Sequence, residues 1–196
     1  MHFDICKLGV AALSISLLAC GGGVSSEEGA RAAYLGIDLA VEKAMNLGFD
    51  GFNAATSANI PTQTTTGDES GTITISGQVD QGASNNKGMR LLVELVEYSD
   101  ETDEEELAIT YDTPDPAALP ALTLQLRSIP DGTLSGTLVG TFRMTGELDG
   151  DVTLNLTFAG AIEPHPDGGV RRVVGSTTVI GTATSSYGTY QVDLTI

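Results

Sequence analysis

The chain has 196 residues, 41% hydrophobic and 18% charged, a balance that suits one globular domain and excludes a largely disordered chain. Nine Lys and Arg stand against 26 Asp and Glu, giving a formal charge of -17 and a pI near 4.1, which argues against a nucleic-acid partner because phosphate contacts need basic side chains. Twenty-four glycines, with many Thr and Val, favour turn-rich β structure over a helical bundle.

Residues 8–19 form an apolar run behind Lys7, long enough for a secretory h-region and too short to span a bilayer. Residues 1–19 are therefore expected to be a signal peptide. The run ends Leu17-Leu18-Ala19-Cys20. This ending resembles the lipobox of bacterial lipoproteins: an aliphatic residue, a small residue at the cleavage site, then the cysteine that is acylated. The resemblance covers the first twenty residues, and Asp4 and Leu18 depart from the commonest pattern. It implies a mature chain that begins at Cys20 and joins the membrane through acyl chains, palmitate among them. The plainer alternative is a signal peptide cut elsewhere, which would leave Cys20 an unpaired thiol in an oxidising compartment.

Lipidation accounts for both cysteines, because Cys6 leaves with the signal and Cys20 carries the lipid. Stability must then come from packing alone. The mature charge is still -17, since residues 1–19 hold one acid and one Lys, so attachment should rest on acyl chains and not on attraction to anionic headgroups. In Gram-negative lipoproteins an Asp after the cysteine signals inner-membrane retention. Gly21 stands there, so in such a host the resemblance implies an outer-membrane anchor, on the periplasmic or the surface side. Residues 20–24 read as the lipidated Cys and a flexible Gly-rich tether.

Residues 25–48 read as one amphipathic helix, with Ala30, Ala33, Tyr34, Ile37, Ala40, Val41, Ala44 and Met45 at three- and four-residue spacing. Ser25 with Glu28 forms a capping box, and Gly48 is the expected stop. Packing into the core is favoured over a membrane-surface helix, because Arg31 and Lys43 are its only bases. Residues 49–71 lack a period and read as a loop.

From residue 72 to 196 the period is two, which predicts an antiparallel meander of about eight strands, a half-barrel or barrel-like sheet with one dry face packed on the helix in a single domain. The dry positions run Ile73, Ile75, Val79; Met89 to Leu95; Leu107 to Tyr111; Leu122 to Leu126; Leu134 to Leu148; Val152 to Phe158; residues 173–183; and Tyr190 to Ile196. Asp131-Gly132, Asp149-Gly150, Asp167-Gly168 and Tyr187-Gly188 mark turns. Gly136, Gly140, Gly146, Gly160, Gly175 and Gly181 are expected mostly on the inward face, where they let strands bend. Thr137-Leu138-Val139-Gly140-Thr141 recurs as Thr178-Val179-Ile180-Gly181-Thr182, and residues 150–158 resemble 188–196. In the first hairpin even residues face inward on both arms, so its loop must be odd, most simply Asp149-Gly150-Asp151. In the second, odd meets even and the loop must be even, such as Tyr187-Gly188. The whole pattern loosely resembles β-rich envelope lipoproteins of uncharacterised activity.

Chemistry is sparsely marked. His165, the one histidine after residue 19, lies in a Pro-rich turn, and no nucleophile elbow, zinc helix or nucleotide loop occurs. A carboxylate pair for glycoside hydrolysis needs no motif, but 25 acids after residue 19 make any pair uninformative, and aromatic platforms for sugars are few. An enzyme and a cofactor are not expected. Seven acids crowd residues 97–106, and Asp100, Asp103 and Glu105 are weak candidates for Ca²⁺, although a solvated hairpin tip explains the cluster as well. The favoured expectation is a lipid-anchored, non-enzymatic structural or binding module of the cell envelope, its protein partner left open. Alternatives are a carrier enclosing a small apolar ligand and a small outer-membrane β-barrel. Nine aromatics after residue 19 are too few for two girdles, which weighs against the barrel.

Overall fold

The computed structural model describes residues 22–101, 107–166 and 169–196. Ser26 opens α1 (Glu27–Leu35) by accepting the Gly29 amide on its Oγ at 3.0 Å, one residue after the expected cap at Ser25. Glu27 and Glu28 sit in its first turn, where acids suit the dipole. A second helix, α2 (Asp38–Ala54), follows at once, so the single helix expected over 25–48 is two. The cause is local. At the junction the Ile37 amide bonds the Tyr34 carbonyl at 2.9 Å, and the freed Ala33 carbonyl accepts the buried Tyr111 hydroxyl at 3.0 Å. Gly36 is needed there, because a Cβ would lie 2.5 Å from the Tyr111 oxygen.

Gly48 does not end α2, which runs on to Ala54; it lets the helix approach Met89, whose Sδ lies 2.8 Å from the site of an added Cβ. The eight apolar positions read from the sequence are all buried.

The rest of the chain is mainly antiparallel β, as the alternation implies. Its strands are β1 (Asn59–Thr66), β2 (Ser70–Val79), β3 (Lys87–Ser99), β4 (Ile109–Asp112), β5 (Ala121–Arg127), β6 (Gly132–Gly146), β7 (Gly150–Pro164), β8 (Val170–Arg172), β9 (Thr178–Ser185) and β10 (Gly188–Thr195). They form one curved sheet, a partial ring in which β1 and β10 are the two ends of the strand order. Ten strands replace the expected eight for two reasons. β1 lies inside the stretch read as a loop, and only its Ile60 is buried, so as an end strand it leaves no alternation to read. β8 and a turn occupy 170–177, where the front of a continuous strand over 173–183 was expected.

β4 and β5 share one lane between β3 and β6. β3 pairs Tyr98 with Tyr111 of β4 and residues 87–92 with β5, while β6 pairs 143–146 with β4 and 133–139 with β5. Residues 113–120 interrupt the lane, yet Thr113 N reaches Leu95 O and Val93 N reaches Pro120 O, both at 2.9 Å.

The hairpin parities hold, but the turns differ in detail. Met144 pairs with Gly150, which leaves a five-residue loop, 145–149, where three residues were expected. Ser185 pairs with Gly188, which leaves Ser186-Tyr187, one position before the expected pair. Both registers keep the apolar residues on one side, and a one-residue slip would turn all of them outward. Of the glycines read as inward, Gly175 instead lies exposed in a turn and Gly146 lies exposed at the end of β6.

The dry side of the sheet meets the helices. α1 packs on β9 and β10, α2 on β1, β2, β3 and β8, and one core contains Tyr34, Ile37, Val41, Leu122, Leu138 and Phe142. No described helix is long and apolar enough to cross a membrane.

Candidate functional site

The strand directions divide the loops between two ends of the sheet. The β1–β2 turn, the end of β3, the start of β4, the β6–β7 turn and the β9–β10 turn lie at one end, as the pairs Ser70 with Ser99, Ile109 with Gly146 and Thr153 with Thr184 require. The chain enters at this end. Gly22 bridges to Leu148, and its carbonyl accepts the Asp149 amide at 3.4 Å. At Gly23 a Cβ would lie 3.0 Å from both the Asp149 carbonyl oxygen and the Tyr187 ring, so a side chain there would have to push its neighbours aside. Val24 is fully buried, and its carbonyl accepts the Ser185 hydroxyl at 2.5 Å.

Gly22 and Gly23, expected to be flexible tether, are therefore part of the folded domain. The signal peptide and Cys20 lie outside the described residues. Around the entry point Asp68, Glu69, Glu101, Glu147 and Asp149 are exposed acids, and Tyr187 is 62% exposed.

The acidic stretch splits. Asp103 and Glu105 lie outside the described residues, whereas Asp100 is buried and engaged as a structural ion partner. Its Oδ1 accepts Lys43 Nζ at 2.5 Å and the Asp68 amide at 2.9 Å, and its Oδ2 accepts the Tyr98 hydroxyl. Lys43 also reaches Asp68 at 2.9 Å. Burial, then the bond to Asp100, pushes the Tyr98 hydroxyl well above its ordinary pKa. Asp100 thus accepts three bonds, all from this chain's own donors. Among the described residues no three His, Cys, Asp or Glu side chains gather as metal ligands would.

A second cluster holds the first turn of α2. Arg172 of β8 grips Asp38 with Nη1 to Oδ1 at 2.7 Å and Nη2 to Oδ2 at 2.6 Å, while its amide bonds Glu42 Oε2 at 3.1 Å. Burial opposes the guanidinium charge, but the bonds and charges of Asp38 and Glu42 more than offset it, and its pKa stands above the ordinary value. Tyr34 lies beside this pair, its pKa raised first by burial and then by Asp38, with its hydroxyl out of hydrogen-bond geometry with either charge. Sequence reading missed both clusters. The one available hint was Arg171-Arg172, the only adjacent bases in the chain, opposite a helix turn holding Asp38 and Glu42.

The concave side is filled. A gap of about 10 Å³ lies between Ile37, Ala40 and Val41 of the helices and Val93, Leu95, Leu122, Leu138 and Phe142 of the sheet, against roughly 300–1,000 Å³ for sites that enclose small ligands. Outward positions are mostly polar, such as Thr141 bonded to Thr153 and Arg143 paired with Asp151, and a short apolar row crosses β3, β5 and β6 at Leu92, Ala121 and Val139. His165, in the turn after β7, donates its amide to the Gly169 carbonyl at 3.3 Å. Turn residues Asp167 and Gly168 lie outside the described residues. No family model, curated protein or solved structure matches the chain.

Proposed function

We propose that the protein is a lipid-anchored module of the bacterial cell envelope, acylated at Cys20 and acting through structure or binding rather than catalysis. The observation that carries this reading is the sequence Leu17-Leu18-Ala19-Cys20, with a single residue, Gly21, between the cysteine and the first described residue, Gly22, which is already bridged to the sheet. An acylated cysteine needs a folded domain on its C-terminal side. The placement of the fold supports that arrangement. Gly21 directs the reading further, to the outer membrane of a Gram-negative envelope.

The filled interior speaks for a module that works by its surface and against the carrier alternative. The inward direction of the apolar stripes speaks against a lipid-facing barrel, which needs its apolar side outward. Mass spectrometry of the protein taken from its own envelope is the test. The expected N-terminal peptide starts at Cys20 with the mass of a diacylglyceryl group and an N-acyl chain, and Cys20→Ser releases the protein to the aqueous phase. An N-terminus elsewhere, or an unmodified thiol at Cys20, overturns the reading.

A further inference from the structure

The distance between anchor and fold fixes how the domain meets its membrane. Cys20 and Gly22 are two Cα steps apart, so an acyl-bearing Cys20 lies within about 7 Å of Gly22. The headgroup layer on each side of a bilayer is itself roughly 6 Å thick. Gly22 is held to the sheet by a bridge to Leu148 and a bond from the Asp149 amide, which keeps this link short. Gly23 lies close to the Tyr187 ring, and Val24 is buried.

We propose that the entry end of the sheet, formed by the loop 145–149 and the turn Ser186-Tyr187, rests in the headgroup layer of a zwitterionic bilayer with Tyr187 as its inserted ring. This rests on the reading of Cys20 as the lipid anchor. Tyr187 suits the role, since it is 62% exposed beside the tether and pairs an apolar ring with a polar tip, the character that places tyrosine at membrane interfaces. Its backbone is fixed from two sides. Its amide bonds Ser185 Oγ at 3.0 Å, and its carbonyl accepts the Tyr190 hydroxyl at 3.3 Å.

The choice of a zwitterionic surface follows from charge. Glu69, Glu101, Glu147 and Asp149 are exposed at the same end, where Lys43 is taken up by Asp68 and Asp100 and Arg143 by Asp151, so an anionic surface repels them over a Debye length of about 8 Å at physiological salt. Raising the fraction of anionic lipid should lift the sheet end while the acyl chains stay inserted. Added salt should lower it again.

The chain contains no tryptophan, so one substitution makes a clean probe. Full-length acylated Tyr187→Trp protein is reconstituted into phosphatidylcholine vesicles in which a minority of the lipid carries a nitroxide on its headgroup. Val174→Trp, at the other end of the sheet and 96% exposed, is the reference. The Tyr187→Trp emission is expected to shift to the blue and be quenched at least about twofold more than the Val174→Trp emission. Phosphatidylglycerol at low salt should reduce that difference, as should a Gly-Ser spacer inserted between Gly21 and Gly22. Equal quenching of the two positions in protein whose mass shows the lipid on Cys20 overturns the orientation and leaves the anchor standing. An unmodified Cys20 removes the anchor and this inference with it.

Discussion

Two ion clusters fasten α2 to the sheet, and they are built with opposite polarity. At Asp38 and Glu42 the helix supplies the acids and β8 supplies Arg172; at Lys43 the helix supplies the base and the residue after β3, Asp100, supplies the acid. Each contains a buried tyrosine, yet only one is satisfied: Tyr98 donates to Asp100, while Tyr34 has no hydrogen-bond partner beside Asp38 and Arg172. The difference teaches that helix placement here depends on direction-specific polar contacts at the rim of an otherwise apolar seat. An apolar stripe alone leaves a helix free to rotate or slide, whereas a forked Arg–carboxylate pair does not.

The largest expected effect breaks both clusters together. Burial is the leading cause that raises the pKa of Tyr34, Tyr98 and Tyr111 above the ordinary value near 10. The folded chain therefore keeps three protons that the unfolded chain releases, so this contribution is fully present below pH 10 and is lost as pH rises above it. Three such groups remove about 4 kcal/mol per pH unit, against a typical total stability of about 5–15 kcal/mol. Unfolding is expected between roughly pH 11 and 13. Circular dichroism and tyrosinate absorbance should change together, and titration of these tyrosines ahead of unfolding would separate them from the fold.

Next in size is Arg172→Met, which leaves Asp38 without its partner in a half-buried site and should cost about 3 kcal/mol in urea titration. Asp100→Asn should cost less, about 1–2 kcal/mol, because Lys43 keeps Asp68 and the amide oxygen can still accept from the Asp68 backbone. A ranking in the reverse order would place the main fastening of α2 at β3 instead of β8.

These clusters mark where sequence reading stops. The inward sets of β3, β5, β6, β7 and β10, and the odd and even loops of the two long hairpins, were legible because alternation and parity are local properties. The eight buried helix positions were legible for the same reason. The break at Gly36 was not, since the apolar stripe runs through it and its cause is the hydroxyl of Tyr111, far along the chain. Gly48 looked like a stop because glycine serves both to end helices and to admit a close neighbour, and only the position of Met89 tells which. β1 was silent as an edge strand of Thr, Gln and Asn. The partners of Arg172 and Lys43 lie 134 and 57 residues away, so Asp100 stood out only as one acid among seven. At the candidate site the run Leu17-Leu18-Ala19-Cys20 stood out in the sequence and lies outside the described residues. The seating of Gly22 and Gly23 was not legible, because three successive glycines read equally as tether or as tight packing.

The smallest effect is the sharpest on the contrast between the clusters. Tyr98→Phe removes a donor from Asp100 and leaves Oδ2 of a buried carboxylate unpaired, so it should cost about 1–2 kcal/mol. Tyr34→Phe removes a hydroxyl that is buried and unbonded, so it should be neutral or stabilise by up to about 1 kcal/mol. The two changes delete the same atom from the same residue type at similar burial, and differ only in whether that atom has a partner. Equal losses in urea titration would mean that the Tyr34 hydroxyl is bonded in solution, and that Arg172 holds its helix through a completed network like that of Asp100.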